Sequence, residues 1–432
     1  MWLMLLLVQG ISLAQGFQFL PGDRKKAVIP FDHINNLVII PVEVNGVMLN
    51  FLLDSGVDDT IMFSLDEREV SFANLEKVFF RGLGSEQPIA GLKSGGNVLD
   101  FDGLRDEDHE IYIVLEQDLN FSSSIGMPVN GIIGYHFFRN FPVEIDYVHR
   151  KITVHSRGAR NKNWKKKFTP IPIVIEGNKP YVMTGVDMGA GAFDAKMLID
   201  VGNSDAVWLF EGGPSAITIP KNSIHDFLGR GFSGDIHGRR SRIDRISIGS
   251  FDFVQPLAAF PDTASTRNIN MVPGRVGSIG GELLRRFTAV LDYGSQKLYL
   301  KRNRHFDAPF QYNMSGLDVQ HEGMTWVKET VDQVQPSNLY DVNGEKILNS
   351  FTFKFELKPV YSINNVREDS PAWESGLRPG DLIKKINKKP GYRYSLEQIN
   401  NLLKSGQGRE LKFAIEREGK PLSFVFKLKS VL

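Results

Sequence analysis

Two short stretches place carboxylates where they could do chemistry: Phe51-Leu-Leu-Asp54-Ser55-Gly56 and Met197-Leu-Ile-Asp200-Val201-Gly202. Each is an apolar run, read as a buried strand, that delivers one aspartate and then turns at a glycine. A carboxylate at the end of such a strand is costly to bury unless it is hydrogen-bonded, shared or catalytic. Two carboxyls about 3 Å apart cannot both ionise, so they share one proton and can divide the roles of acid and base. The glycines, Gly56 and Gly202, let each loop turn tightly and bring backbone N–H groups to the carboxylates. One Asp-X-Gly tripeptide is usually only a turn, so the weight falls on what repeats around the pair.

The surroundings repeat in register. Asp54 is followed 80 residues on by Gly134 of Gly131-Ile-Ile-Gly134, and Asp200 by Gly280 of Gly277-Ser-Ile-Gly280 at the same distance. Phe141-Pro-Val-Glu-Ile-Asp146-Tyr147 matches Phe287-Thr-Ala-Val-Leu-Asp292-Tyr293, each Asp-Tyr pair beginning 92 residues after its aspartate. Short β-like runs follow, Lys151–His155 and Lys297–Lys301. A glycine-rich stretch, Phe80–Gly84, has a parallel in Leu228–Gly234. Three landmarks offset by 146 residues indicate an internal duplication.

Elements that would position the aspartates read mostly as strands. Lys26–Phe31, Leu37–Val44 and Val47–Leu53 are predicted strands, the last two joined by an Asn45-Gly46 hairpin turn. The second copy opens with Pro170–Ile175, a turn at Glu176–Lys179, Pro180–Met183 and Phe193–Ile199. Few segments show helical spacing, and Ile224–Leu228 and Gly281–Arg286 are the better short candidates, the latter echoing Tyr135–Asn140. Trp208, in an apolar strand, is expected in the core, and Asp58 and Asp59 as solvated turn residues. Lys165–Lys167, with Arg160 and Lys162, reads as a solvated linker, and Asn303–Gln311 as a second one.

The last ninety residues have a different character. Ser370-Pro-Ala-Trp-Glu-Ser-Gly376 predicts a short helix with a Ser cap, Pro at its first position and a glycine stop. Ser395–Leu403 predicts an amphipathic helix opened by a Ser395/Gln398 capping box. Strands Glu410–Arg417 and Leu422–Leu428 flank a Glu418-Gly419 turn.

Bulk properties restrict the function. The 432-residue chain has a formal net charge of +1, which gives no electrostatic case for a nucleic-acid partner. It contains no cysteine, which removes disulfides, thiol nucleophiles and lipidated anchors. There is no His-Glu-x-x-His motif, no Gly-x-Ser-x-Gly elbow and no convincing phosphate loop, so neither a metal nor a cofactor is expected. Residues 1–14 read as a signal peptide: an apolar core too short to span a bilayer, then Ser12 and Ala14 at a small-residue cleavage site, although the basic start is missing. A buried N-terminal strand is the competing reading. Export to a bacterial periplasm or medium is expected, with no stable membrane anchor after cleavage.

Residues 25–302 resemble a two-lobed aspartic peptidase of the retropepsin-like and pepsin-like kind. There each lobe supplies one aspartate from an Asp-Thr/Ser-Gly loop backed by a hydrophobic-hydrophobic-Gly segment. Asp54-Ser55-Gly56 with Ile132-Ile133-Gly134 matches this; Asp200 and Gly202 match, with Ser278-Ile279-Gly280 a looser backing. Val201 departs, standing where the family has a hydroxyl that locks the two loops together. The tail resembles a PDZ domain through Ser370-Pro-Ala, Ser375-Gly-Leu and Pro379-Gly-Asp381. The combination resembles bacterial aspartyl proteases with a C-terminal PDZ domain.

The resemblance implies a mainly β fold of two tandem acid-protease β-barrel lobes followed by a PDZ-like domain. Its implied parts are lobe 1 at 25–158, lobe 2 at 168–302 and the PDZ-like region at 312–432, with a core at about 350–432. It implies an aspartic endopeptidase acting on an extended peptide, with Asp54 and Asp200 as the dyad and Ser55, Gly56, Val201 and Gly202 as loop support. Arg81, Gly82, Leu83 and Gly84 form the candidate flap. Val360, Tyr361, Ser362 and Ile363 form the candidate PDZ groove, where a protein C-terminus would dock, although Lys358–Ser362 lacks the glycines usual there. Two alternatives stay open: a duplicated scaffold that binds peptides without cleaving them, and a dimer using Asp54 alone.

Overall fold

The computed structural model describes residues 16–65, 68–80, 89–114, 121–157, 164–212, 217–231, 234–266, 271–332, 342–344 and 351–432. The expected signal peptide and the candidate flap residues Arg81, Gly82, Leu83 and Gly84 lie outside these residues. The fold is mainly β, and two tandem lobes precede a C-terminal unit with a sheet of its own. The chain forms two compact units: residues up to Phe121 with Pro128–Gln311, and Ser122–Met127 with Tyr312–Val431.

In the first unit each lobe is built on a hairpin that ends in an aspartate. Leu37–Val44 pairs with Val47–Leu53 through a turn in which Asn45 and Gly46 both take positive φ, 49° and 86°. That is the turn whose twist matches two right-handed strands. In the second lobe Lys179–Asp187 pairs with Ala192–Ile199 through a longer loop. Alternate residues of the aspartate-bearing strands, Leu49, Phe51 and Leu53 in one lobe and Ala195, Met197 and Ile199 in the other, enter a common apolar core. The intervening residues Leu52 and Leu198 point away from it, toward the face that carries Asp54 and Asp200.

The sequence repeat becomes a repeat of strand register. Phe51, Leu52 and Leu53 lie beside Gly131, Ile132 and Ile133 in parallel, and Met197, Leu198 and Ile199 beside Gly277, Ser278 and Ile279. A six-stranded sheet joins the lobes, in the order Thr169–Pro172, Lys297–Arg302, Phe287–Asp292, Val143–Asp146, Lys151–His155, Lys26–Pro30. At its centre Val143 faces Leu291, Glu144 faces Val290 and Ile145 faces Ala289. Glu144 and Val290 are the same position of the two copies, so a pseudo-twofold axis runs through their pairing. That axis is what carries Asp54 toward Asp200.

Two expectations need correction. Ile224–Leu228 is not helical but part of the strand Ser223–Gly231, paired with Gly234–Arg242. A bulge between Phe227 and Gly229 interrupts the alternation, so apolar residues fall at adjacent positions and imitate helical spacing. Asn303–Gln311 is packed rather than a free linker: Phe306 enters the core, and the carbonyls of Phe306 and Ala308 accept from the buried Arg286 guanidinium. The two short helices expected after the backing glycines are present, at Tyr135–Phe138 and Gly281–Leu284.

The second unit contains a sheet in the order Leu317–Asp332, Phe351–Val366, Leu382–Ile386, Glu410–Arg417, Lys420–Lys427, and its helices include Pro371–Ser375 and Leu396–Leu403. Pro371–Ser375 is capped by the Ser370 hydroxyl and stopped by Gly376 at φ 99°. Leu396–Leu403 has the reciprocal Ser395/Gln398 capping box and buries Leu396, Ile399 and Leu403. Asp381, fully buried, accepts from Arg417 Nε at 2.6 Å and Nη2 at 2.7 Å, and from the Arg378 N–H at 2.9 Å. A bidentate, charge-assisted pair of this kind ties the Pro379-Gly-Asp381 turn to the Glu410–Arg417 strand.

Candidate active site

Strand pairing continues one residue past each apolar run and fixes the aspartates. The Asp54 N–H donates to the Ile133 carbonyl and the Asp200 N–H to the Ile279 carbonyl, both at 2.9 Å. Each chain then turns at its glycine, and the Gly56 N–H donates back to Asp54 Oδ1 at 2.7 Å. Gly202 holds the equivalent place beside Asp200. Space is tight at Gly56 and excludes a side chain at Gly202. A methyl on Gly56 would sit 3.1 Å from Asp54 Oδ1 and 3.2 Å from Asp200 Oδ1, and one on Gly202 would overlap the Asp54 carboxyl group. Each glycine thus touches the opposite lobe's aspartate, which brings the two carboxyls together.

Burial and proximity decide their charge. Each aspartate keeps a partly exposed edge but is densely surrounded by protein. Desolvation raises the Asp54 carboxyl above its ordinary range, against the Gly56 N–H and the hydrogen bond from Asp200, which lower it. Desolvation also raises Asp200, and the adjacent Asp54 charge raises it further, with Arg275 opposing. The pair therefore retains one proton well above the pH at which an isolated aspartate loses it, and that titration belongs to the pair.

Ser55 and Val201 occupy equivalent positions behind the aspartates, both fully buried. The Ser55 hydroxyl donates to the Ile199 carbonyl at 2.6 Å and accepts from the Val201 N–H at 3.1 Å. One hydroxyl thereby bridges the lobes. Val201 offers no hydroxyl in return and packs into the apolar core instead. Two further contacts join the lobes. Asn36 Nδ2 donates to the Ser204 carbonyl at 2.9 Å, and Lys179 Nζ lies 3.4 Å from Asp58 Oδ2. Asp58 is thus an inter-lobe contact rather than a simple solvated turn residue.

Other expected residues are placed as follows. Trp208 is 8 % exposed, donates its Nε1–H to Asp205 at 2.8 Å and packs with Leu228 and Ile236 of the second-lobe hairpin. The arms flanking the candidate flap, Glu76–Phe80 and Ile89–Asp100, pair up to Phe80 and Ile89. The candidate PDZ groove is corrected. Tyr361, Ser362 and Ile363 are buried, and their strand lies between Leu317–Asp332 and Leu382–Ile386. The strand beside the Leu396–Leu403 helix is Leu317–Asp332, so Val360, Tyr361, Ser362 and Ile363 do not border the space between strand and helix. The sequence reading missed Lys179, Tyr181 and Arg275, which reach the site by pairing across the sheet; the only available signal was their offset of about 140 residues from Leu37, Ile39 and Val129 in the first copy.

Comparisons with known proteins bear on the second unit. Residues 362–417 match the family model described as PDZ domain. No curated protein matches the sequence. Among solved structures, an aspartic proteinase from Irpex lacteus is similar, with 12% identity and a TM-score of 0.42 over 66% of this chain and 99% of that one.

Proposed function

We propose that this chain is an aspartic endopeptidase in which Asp54 and Asp200 activate a water molecule for attack on a peptide bond. The observation that carries the reading is the pair of carboxyls brought together near the pseudo-twofold, each against the opposite lobe's glycine; a proton shared between them follows from that proximity. The ionised member of the pair takes a proton from water as its oxygen bonds to the carbonyl carbon. The protonated member donates to the carbonyl oxygen, giving a neutral tetrahedral diol. Collapse breaks the C–N bond as the amide nitrogen takes a proton, and the pair returns to one shared proton. Neither carboxyl is assigned permanently to either role.

The backbone N–H bonds and the Ser55 bridge hold both carboxyls in place before substrate arrives, which is how positioning lowers a barrier. An extended peptide would lie between the lobes, and the PDZ domain would dock substrate or a partner by strand addition. We place the mature protein outside the cytoplasm, on the leader-like residues 1–14. The non-catalytic scaffold reading has one specific observation in its favour, the hydroxyl missing at Val201. Cleavage of a diverse peptide library by the full chain from pH 3 to 8 tests the proposal, with and without a hydroxyethylene peptide isostere. Cleavage that the isostere blocks is expected. No cleavage at any pH, with the isostere failing to bind, would leave the scaffold reading in its place.

A further inference from the structure

The two walls beside the aspartates differ in chemistry although the pseudo-twofold relates them. Leu52 and Leu198 share the strand face of Asp54 and Asp200, two residues on. In the first lobe the row through Leu52 runs Ile39, Leu52, Ile132, Ile61 and is entirely apolar. In the second lobe the row through Leu198 runs Tyr181, Leu198, Ser278, Trp208. One step further along the strands Lys196 pairs with Arg275, where the first lobe has Asn50 and Val129. The second wall has thus gained two cations, a phenol and a hydroxyl.

Only one of the two cations is neutralised. Lys196 Nζ lies 2.7 Å from both carboxylate oxygens of Glu176. Arg275 donates through Nε to the Gly277 carbonyl at 3.2 Å and through Nη2 to Ser278 Oγ at 2.8 Å. Its guanidinium lies 5.2 Å from the centre of the Phe210 ring. Among the described residues no carboxylate lies within ion-pairing distance of it. Its charge nevertheless acts on Asp200, so it sits close to the reacting pair. Of the five N–H groups on a guanidinium, two are used by described residues and three remain. A partly desolvated cation held by two bonds, with spare donors and no carboxylate partner among the described residues, is complementary to a carboxylate brought by a ligand.

We propose that Arg275 makes the second-lobe side of the site a subsite for an acidic substrate side chain, Asp or Glu, while the first-lobe wall takes an apolar one. The inference deepens the peptidase reading and rests on it. Ser278 is a positioning residue: its hydroxyl accepts from Arg275 Nη2 and helps hold the guanidinium beside Phe210. Substrates with an acidic residue on one side of the scissile bond and an apolar residue on the other are then preferred.

The test compares matched peptides carrying Glu or Gln at each position around the cleaved bond, because the two differ only in charge and one donor. The full chain is expected to favour Glu over Gln at one position, by about 10- to 100-fold in kcat/KM, the range of a charge-assisted hydrogen bond in a site built for it. The preference should vanish in Arg275→Gln and persist in part in Arg275→Lys, and it should fade below about pH 4 as the substrate carboxyl protonates. The Glu/Gln ratio is taken within one variant, so a loss of folded protein cancels. The same ratio is read as Kd with non-cleavable reduced-amide peptides. A chain that cleaves nothing but binds the Glu peptide better sinks the peptidase reading alone. Equal handling of Glu and Gln, or a preference that survives Arg275→Gln, overturns the subsite.

Discussion

Ser55→Ala removes one oxygen and tests how the two lobes are locked. That oxygen accepts from the Val201 N–H and donates to the Ile199 carbonyl, and Ser55 and Val201 are fully buried. Alanine leaves a buried donor and a buried acceptor without their side-chain partner, at about 1–3 kcal/mol each when water cannot replace it. Allowing for partial relaxation, the expected loss is roughly 2–4 kcal/mol, a large share of the 5–15 kcal/mol typical of a folded protein. The pseudo-twofold supplies a rescue. Threonine at 201 stands where serine stands at 55, so Ser55→Ala with Val201→Thr moves the bridge to the other lobe. The urea midpoint at constant m-value reads both changes, and the peptide cleavage rate reads the geometry. A Ser55→Ala cost under about 0.5 kcal/mol, the scale of an inconsequential surface change, would refute the lock. So would a double variant no more stable than Ser55→Ala alone.

Three further outcomes follow from the same geometry. Gly202→Ala puts a methyl into the Asp54 carboxyl group, and displacing it by about 1 Å is expected to lower kcat/KM on the order of 100-fold while the far-ultraviolet circular dichroism stays β-like. Both aspartates titrate above their ordinary range, so the folded state holds a proton the unfolded chain releases near pH 4. That contribution to stability is complete below the unfolded value and is lost as pH rises through neutrality; Asp200→Asn is therefore expected to gain stability over wild type progressively above about pH 4, and a pH-independent difference in urea midpoint would contradict it. In the second unit, Arg417→Ala strands the buried Asp381 carboxylate and should destabilise that unit by about 3 kcal/mol, read by its own unfolding transition; an unchanged midpoint would show the pair to be idle.

The parts legible in the sequence are those that the duplication repeats. Asp54 and Asp200 could be paired from sequence because equal spacing to Gly134 and Gly280 forces equal strand register, and register carries each aspartate to the same place in its lobe. The half-lock at Ser55 and Val201 was visible because the two positions are equivalent and their side chains are not. Arg275 was not visible, since its bearing on Asp200 depends on how the 275–279 strand lies beside the 192–199 strand, with a bulge at Lys196. The Lys179–Asp58 contact was hidden for a similar reason, joining turns 121 residues apart. Ile224–Leu228 misled because a bulged strand places apolar residues at helical intervals. The groove of the PDZ domain was misplaced by one strand because a motif gives the order of elements along the chain but not their neighbours in the sheet.

The most direct test of the shared-proton dyad is kcat/KM for one cleaved peptide with wild type, Asp54→Asn, Asp200→Asn and the double variant. If the two carboxyls act as one unit, each single change should cost at least on the order of 1,000-fold, and the double should be no worse than either alone. Losses that multiply in the double variant, or a single variant that retains wild-type turnover, would contradict a shared dyad.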